Sequence, residues 1–84
     1  MATFMRIRVL TFGIARDITN ADTILMELPA GSNAAVLQTH LQEQYPAFKR
    51  LKSLRIAVNA QYADPDTLLR ENDEIALIPP VSGG

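Results

Sequence analysis

The sequence predicts an α+β fold in which a mixed sheet packs against one side of a single main helix. Strand-like runs occupy both ends of the chain, and one amphipathic helical pattern lies between them. Because a single helix can cover only one face of a sheet, a two-layer arrangement follows. The 84 residues suffice for one domain with one modest core.

The first two strands are predicted at residues 6–12 and 23–28. The first alternates between apolar and polar side chains, and the second is rich in β-forming residues and ends at the turn signal Pro29-Ala30-Gly31. The polar residues 17–22 are expected to connect the two strands, which then pair. One side of the first strand carries Ile7, Val9 and Thr11. The other side carries Arg6, Arg8, Leu10 and Phe12.

The main helix is predicted to begin at an N-cap, Ser32 or Asn33, and to stop at Pro46. Apolar side chains recur at helical spacing between these points, and this stripe is expected to face the sheet. Its members are Val36, Leu37, Leu41 and Tyr45.

Two further strands are predicted at residues 56–59 and 74–78, with a turn-rich connection over residues 62–69. Pro79-Pro80 stops the last strand. The right-handed crossover rule places that strand parallel to the first at the centre of the sheet, which is the β-grasp arrangement. The domain is therefore predicted to span residues 1–80, and residues 81–84 to form an extended tail.

The tail is predicted to be the chemically active part of the chain. The two prolines stiffen its exit, and Gly83 and Gly84 lack Cβ atoms, so the backbone can enter a narrow channel. A terminal carboxylate is a poor electrophile, so an activating enzyme must first convert it to an acyl-adenylate. A frayed terminus is the structural alternative.

An apolar patch is predicted on the sheet face opposite the helix. If Ile7, Val9, Ile75 and Leu77 face the helix, then Leu10, Phe12, Ala76 and Ile78 lie on the other face. A contiguous exposed apolar patch beside a tail suggests a surface for a partner protein. A cover formed by the chain's own loops is the alternative.

Composition excludes several other function classes. The absence of cysteine rules out disulfides, thiolate metal sites and a cysteine nucleophile. A net charge of -1 gives no general attraction to nucleic acid or anionic membranes, and the basic cluster within residues 49–55 is interpreted as a solvated loop. The chain shows neither a signal peptide nor an apolar run long enough to span a bilayer, so a cytoplasmic location is expected.

Two groups of ionisable residues are assigned no function. His40 has no partner at metal-ligand or catalytic spacing and is expected at the surface or its boundary. The acidic residues within 64–74 do not follow EF-hand spacing. No bound cofactor or metal is therefore expected.

A set of motifs spread over nearly the whole chain carries a family resemblance. In chain order they are Phe12-Gly13-Ile14-Ala15-Arg16-Asp17, Leu28-Pro29-Ala30-Gly31, Tyr45-Pro46, Ala57-Val58-Asn59, Asn72-Asp73-Glu74-Ile75-Ala76 and Pro79-Pro80-Val81-Ser82-Gly83-Gly84. The chain resembles the MoaD-like sulfur carriers, ubiquitin-like proteins that serve as small subunits of molybdopterin synthase. The terminal motif is the most specific of the set.

The resemblance implies a mechanism and a set of partners. In such carriers an ATP-dependent, E1-like enzyme adenylates the terminal glycine, and a sulfur-donor protein supplies the sulfur that converts it to a thiocarboxylate. The tail then inserts into the large synthase subunit, where the sulfur passes to cyclic pyranopterin monophosphate in molybdenum cofactor biosynthesis. A heterotetramer with two small subunits is implied, with no turnover by this chain alone and no nucleic-acid or membrane partner.

The resemblance also assigns residues. Gly84 carries the sulfur, and the threaded tail comprises Val81, Ser82 and Gly83. The positions of the docking face are Leu10, Phe12, Tyr62 and Ile78. Arg16 belongs to a family motif, and a structural ion pair is its expected role.

Other functions stay open. A sulfur carrier for another pathway, such as thiamin thiazole synthesis, would use the same chemistry at Gly84. So would a ubiquitin-like modifier conjugated to lysines. A noncatalytic β-grasp binding module would keep its activity without Gly84, which separates it from the carriers.

Overall fold

The computed structural model describes residues 3–51 and 54–79. Within them the chain forms five strands, two α-helices and one 3₁₀-helix. The strands are β1 (Phe4–Thr11), β2 (Thr23–Pro29), β3 (Arg55–Val58), β4 (Gln61–Tyr62) and β5 (Ile75–Ile78). The helices are α1 (Gly13–Thr19), α2 (Ala34–Gln44) and the 3₁₀-helix (Pro46–Arg50).

The strands form one mixed sheet in the order β2-β1-β5-β3-β4. β1 pairs antiparallel with β2 and parallel with β5, where Val9 lies opposite Ile75. β3 pairs antiparallel with both β5 and β4. The predicted parallel pairing of the first and last strands at the centre of a β-grasp sheet is confirmed.

The core lies between this sheet and α2. Ile7 and Val9 from β1 and Ile75 and Leu77 from β5 have no exposed surface. From the helix they receive Leu37 and Leu41, which are equally buried. Removing each such side chain from water stabilises the fold by about 1.5–3 kcal/mol, so the alternation in β1 fixes which sheet face is inward.

Helix α2 begins at Asn33, one of the two predicted caps. The Asn33 Oδ1 accepts a hydrogen bond of 3.0 Å from the backbone N–H of Val36. The predicted stripe is right for Leu37 and Leu41 and wrong for Val36, which is only half-buried and lies outside the core. Ala34 takes the core position instead, because residues 34, 37 and 41 share one helix face.

Two short helices lie where loops were predicted. Residues 17–22 were expected to be a plain polar connection, but α1 occupies 13–19 and ends at Asn20, whose positive φ of 59° is typical of a helix C-cap. The 3₁₀-helix inserts Phe48 into the core at 1 % exposure, with its ring 5.9 Å from that of Tyr45. The neighbouring Lys49 and Arg50 are exposed, as predicted.

Candidate functional site

An apolar groove of about 410 Å³ lies on the sheet face opposite α2. The groove is formed by residues of the neighbouring strands β1, β5, β3 and β4 and of the loops next to them. Its lining residues are Leu10, Phe12, Ala57, Ala60, Tyr62, Glu74, Ala76 and Ile78. The sheet thus has one face committed to the core, and the part of its other face that these residues line is largely apolar and open.

Strand register brings these residues together. Leu10 lies opposite Ala76 across the β1–β5 pair, and Ala76 lies opposite Ala57 across the β5–β3 pair. Ala57 in turn lies opposite Tyr62 on β4. Directly opposite residues share a sheet face, so a continuous apolar row crosses the sheet.

Aromatic side chains stand at the rim of the groove, and small side chains form its floor. Phe12 is 49 % and Tyr62 59 % exposed, whereas Ala57 on the same face is almost buried. Large exposed aromatic rings around a concave apolar surface are typical of a binding face for another molecule.

All four predicted docking residues, Leu10, Phe12, Tyr62 and Ile78, line this groove. Their role in docking stays a prediction. Sequence reasoning missed Ala57, Ala60 and Glu74, although the buried Ile56 and the period-2 rule would have placed Ala57 on the outer face. The remaining predicted site residues lie outside the described part of the chain, and they are Val81, Ser82, Gly83 and Gly84.

One end of the groove lies at Ile78, the last residue of β5. β5 ends at Ile78, and Pro79 packs beside Gly13, which follows β1 after Phe12. Gly13 has a φ of +53°, and a Cβ on it would lie 3.3 Å from Cγ of Pro79. Glycine is favoured here by its backbone conformation, and a larger residue would also require Pro79 to shift by a few tenths of an ångström.

A hydrogen-bonded clasp shapes the opposite end of the groove. Asn59 Nδ2 donates to Asp73 Oδ1 at 3.0 Å, and Asn59 Oδ1 accepts from the Glu74 N–H at 3.0 Å. Asn59 and Ala60 form the β3–β4 turn with positive φ angles of 52° and 69°, the pattern of a type I′ hairpin. The clasp thereby ties this turn to the start of β5, and it positions Ala60 and Glu74 at the groove.

Two arginines make contacts near the site. The Arg55 guanidinium carbon lies 4.0 Å from the ring centroid of Tyr62, a cation–π contact. Arg16 Nε lies 2.8 Å from Asp22 Oδ1, and both side chains are mostly exposed. The expected structural ion pair of Arg16 is thus present.

The remaining ionisable residues assemble no further site in the described ranges. His40 is half-buried, and its Nδ1 lies 3.0 Å from the Val36 carbonyl oxygen within α2, at the boundary position expected. Residues 3–51 and 54–79 contain no group of three His, Asp or Glu side chains placed to hold a metal ion. Nor does any helix within those residues have the length and apolarity needed to cross a membrane.

The fold and the groove define a ubiquitin-like β-grasp protein. The crystal structure of SAMP1 from Haloferax volcanii matches with a TM-score of 0.80 and 20 % identity, over 94 % of this chain and 99 % of that one. A putative molybdopterin converting factor subunit 1 from Pyrococcus furiosus matches with a TM-score of 0.84 and 26 % identity, over 92 % of this chain and 99 % of that one.

The ThiS family model matches residues 9–84, so the chain belongs to the ThiS family. It is 31 % identical to the molybdopterin synthase sulfur carrier subunit of Arabidopsis thaliana, over 95 % of this chain and 84 % of the relative. It is 36 % identical to that of Dictyostelium discoideum, over 92 % of this chain and 94 % of the relative. The resemblance to MoaD-like carriers is confirmed.

Proposed function

We propose that this chain is the sulfur carrier subunit of a molybdopterin synthase and that the carboxylate of Gly84 carries the sulfur. The observation that carries the proposal is the open apolar groove at the root of the tail, on a chain related over nearly its full length to such carriers. The groove supplies binding, and the tail supplies the reacting atom.

The chemistry proceeds in three balanced steps. The Gly84 carboxylate attacks ATP on the activating enzyme, which releases pyrophosphate and leaves an acyl-adenylate. The terminal sulfur of a persulfide on a donor protein then displaces AMP, and a second thiol cleaves the resulting acyl disulfide, which releases the thiocarboxylate and leaves a disulfide on the donor side. Transfer of that sulfur to cyclic pyranopterin monophosphate, with an oxygen from water, restores the carboxylate. ATP is thus a substrate of the activating enzyme, and this chain needs no cofactor of its own.

The groove accounts for recognition by the large synthase subunit. Phe12 and Tyr62 offer exposed rings that a partner can desolvate, and buried aromatic anchors dominate many interfaces. A structure from Helicobacter pylori is a protein–protein complex of subunits 1 and 2 of its molybdopterin-converting factor. Its matched chain is 30 % identical to this one, with a TM-score of 0.67, over 95 % of this chain and 100 % of that one. We infer a corresponding complex here, a heterotetramer in the cytoplasm.

The tail accounts for transfer. Five residues follow Pro79, and at full extension they reach at most about 16–18 Å. A terminus held at this distance from a docked domain can enter a neighbouring active site while the groove stays bound. The isolated chain is therefore a donor without turnover, because its electrophile is its own terminus.

The test is to remove Gly84, or to add one residue after it, and to compare both variants with the wild type. Either change moves the carboxylate by roughly 3.3–3.6 Å, whereas a misplacement of about 1 Å can reduce a rate on the order of a hundredfold. Sulfur loading is measured by intact mass after incubation with ATP, an activating enzyme and a sulfur source. Molybdopterin formation is measured with the large subunit.

Both variants should lose loading and transfer but keep the thermal unfolding temperature of the wild type. A truncated protein that still accepts sulfur and supports synthesis near the wild-type rate contradicts the proposal. The loaded wild type could instead supply sulfur for thiazole synthesis or form isopeptide bonds with lysines. Either result would keep Gly84 as the activated residue but assign the protein to a different pathway.

A further inference from the structure

Arg55 lies beside the groove, in contact with one of its lining residues, Tyr62. It lies on the outward face of β3, directly opposite Ile78 in the β3–β5 pairing. Its guanidinium carbon is 4.0 Å from the ring centroid of Tyr62, so the two side chains form one stacked unit. Both side chains are exposed, and Tyr62 itself lines the groove.

The charge of Arg55 is not neutralised by the described part of the chain. Across residues 3–51 and 54–79, the ion pair within 4.0 Å is that of Arg16 with Asp22, and no carboxylate lies that close to Arg55. A cation next to an apolar groove therefore stays available to a molecule that docks there.

Stacking makes this cation a better binding group than a free surface arginine. The guanidinium carbon lies over the Tyr62 ring, and the planar group carries several N–H donors that can bind a carboxylate. Because the side chain is already oriented, less rotamer freedom is lost when it binds. Arginine and tyrosine are also among the residues that contribute most to interfaces.

We propose that Arg55 selects the partner of the groove by donating hydrogen bonds to a carboxylate on the partner's surface. This inference rests on the proposed function, since it names the chemistry of the surface that the groove binds. The partner then presents an apolar patch to Leu10, Phe12 and Ile78, with an Asp or Glu side chain at the edge that meets Arg55 and Tyr62. The apolar groove supplies affinity, and the charge pair supplies orientation and rate of association.

The matched test replaces Arg55 and Arg50 in parallel. Arg50 is an equally charged, exposed residue on the 3₁₀-helix, and it lines no part of the groove. R55Q, R55E, R50Q and R50E are mixed with the purified large subunit, and association rates are measured by stopped flow over a range of salt concentrations. Thermal unfolding of each variant establishes that the domain is intact.

R55Q should slow association with the large subunit roughly 3- to 10-fold at low salt, and the association rate should depend less on salt concentration than in the wild type. R55E should slow association further. The Arg50 variants should stay within about twofold of the wild type, because their charge lies away from the docking face. If the wild type binds and R55Q binds with the same rate and salt dependence, the inference is overturned while the proposed function stands. If the wild type forms no complex, both fail.

A cross-linking experiment identifies the carboxylate. Lysine at position 55 in the R55K variant can be joined to a nearby Asp or Glu by a water-soluble carbodiimide, and R50K serves as the control. Mass spectrometry should show a new link from position 55 to one acidic residue of the large subunit. Replacing that acidic residue with Lys should restore association to R55E. A failure of this rescue, or a link from position 50 alone, argues against the pairing.

Discussion

Gly13 and Pro79 meet where the chain leaves the sheet, so close that a Cβ on Gly13 would lie 3.3 Å from Cγ of Pro79. Replacing Gly13 with Ala should therefore displace Pro79 and with it the start of the tail. The positive φ of +53° adds strain, and together the two effects should destabilise the domain by about 1–2 kcal/mol. Denaturant unfolding and the rate of sulfur transfer are measured together.

Gly31→Ala is the matched control for that variant. Gly31 also has a positive φ, 86°, but a Cβ there would meet no heavy atom of the described residues within 4 Å apart from its chain neighbours. Its replacement should cost stability through backbone strain alone and leave sulfur transfer by the folded protein unchanged. Equal transfer rates for the two alanine variants, compared at full folding, would show that the contact with Pro79 does not position the tail.

Phe12→Asp and Ile78→Asp should each weaken binding of the large subunit by at least about tenfold, because a charge buried in an apolar interface without a partner is costly. Stability should change little, since both side chains lie on the face opposite the core. Binding is measured by titration calorimetry and folding by thermal unfolding.

Leu68→Asp is the control for these two variants. Leu68 is 64 % exposed and lines no part of the groove, so its replacement should leave binding unchanged. Unfolding of the Phe12 or Ile78 variants, rather than loss of the complex, would place those side chains in the core. Weaker binding by the Leu68 variant would show that an aspartate outside the groove also reduces binding of the large subunit, so that the effect is not specific to the groove.

Asn59→Gly tests the clasp at the far end of the groove. Glycine keeps the positive φ of 52° but loses the hydrogen bonds to Asp73 and to the Glu74 N–H. Loss of these two exposed hydrogen bonds should destabilise the domain by roughly 1–2 kcal/mol in chemical denaturation. Ala60→Gly, which relieves backbone strain in the same turn, should move stability in the opposite direction.

The Arg16–Asp22 ion pair should contribute little to stability despite its 2.8 Å separation. Both side chains are exposed, at 63 % and 75 %, so water and salt screen the attraction. A double-mutant cycle with alanine at each position should give a coupling energy of about 0–1 kcal/mol. A coupling well above this value that persists in high salt would point to a larger structural role.

The strands could be predicted from sequence because period-2 alternation sorts each side chain onto one sheet face. That rule placed Leu10, Phe12 and Ile78 on the open face, and the structure brings all three to one groove. Tyr62 came from family resemblance alone, since β4 has only two residues, too few to show a period.

The short helices could not be predicted for a different reason. α1 has seven residues, buries Ala15 alone and has no side-chain cap, so neither periodicity nor a start signal marks it. Phe48 lies among charged residues that suggest a loop, and only the packing against α2 shows that it belongs to the core. In α2 the small Ala34 is buried, whereas the larger Val36 is only half-buried. The position of a residue around the helix axis, and not its hydrophobicity, decides whether its side chain faces the sheet.

The central β1–β5 pair has a consequence for how the chain is synthesised. β5 is the last strand in the chain and lies between β1 and β3 in the sheet, so a chain that lacks β5 has no strand to pair with the inner edges of β1 and β3. We expect a chain released before β5 is complete to leave its sheet in two parts with unpaired strand edges, and therefore to be degraded more readily than the folded protein. By this expectation, incomplete copies do not accumulate as folded competitors for the groove's partner.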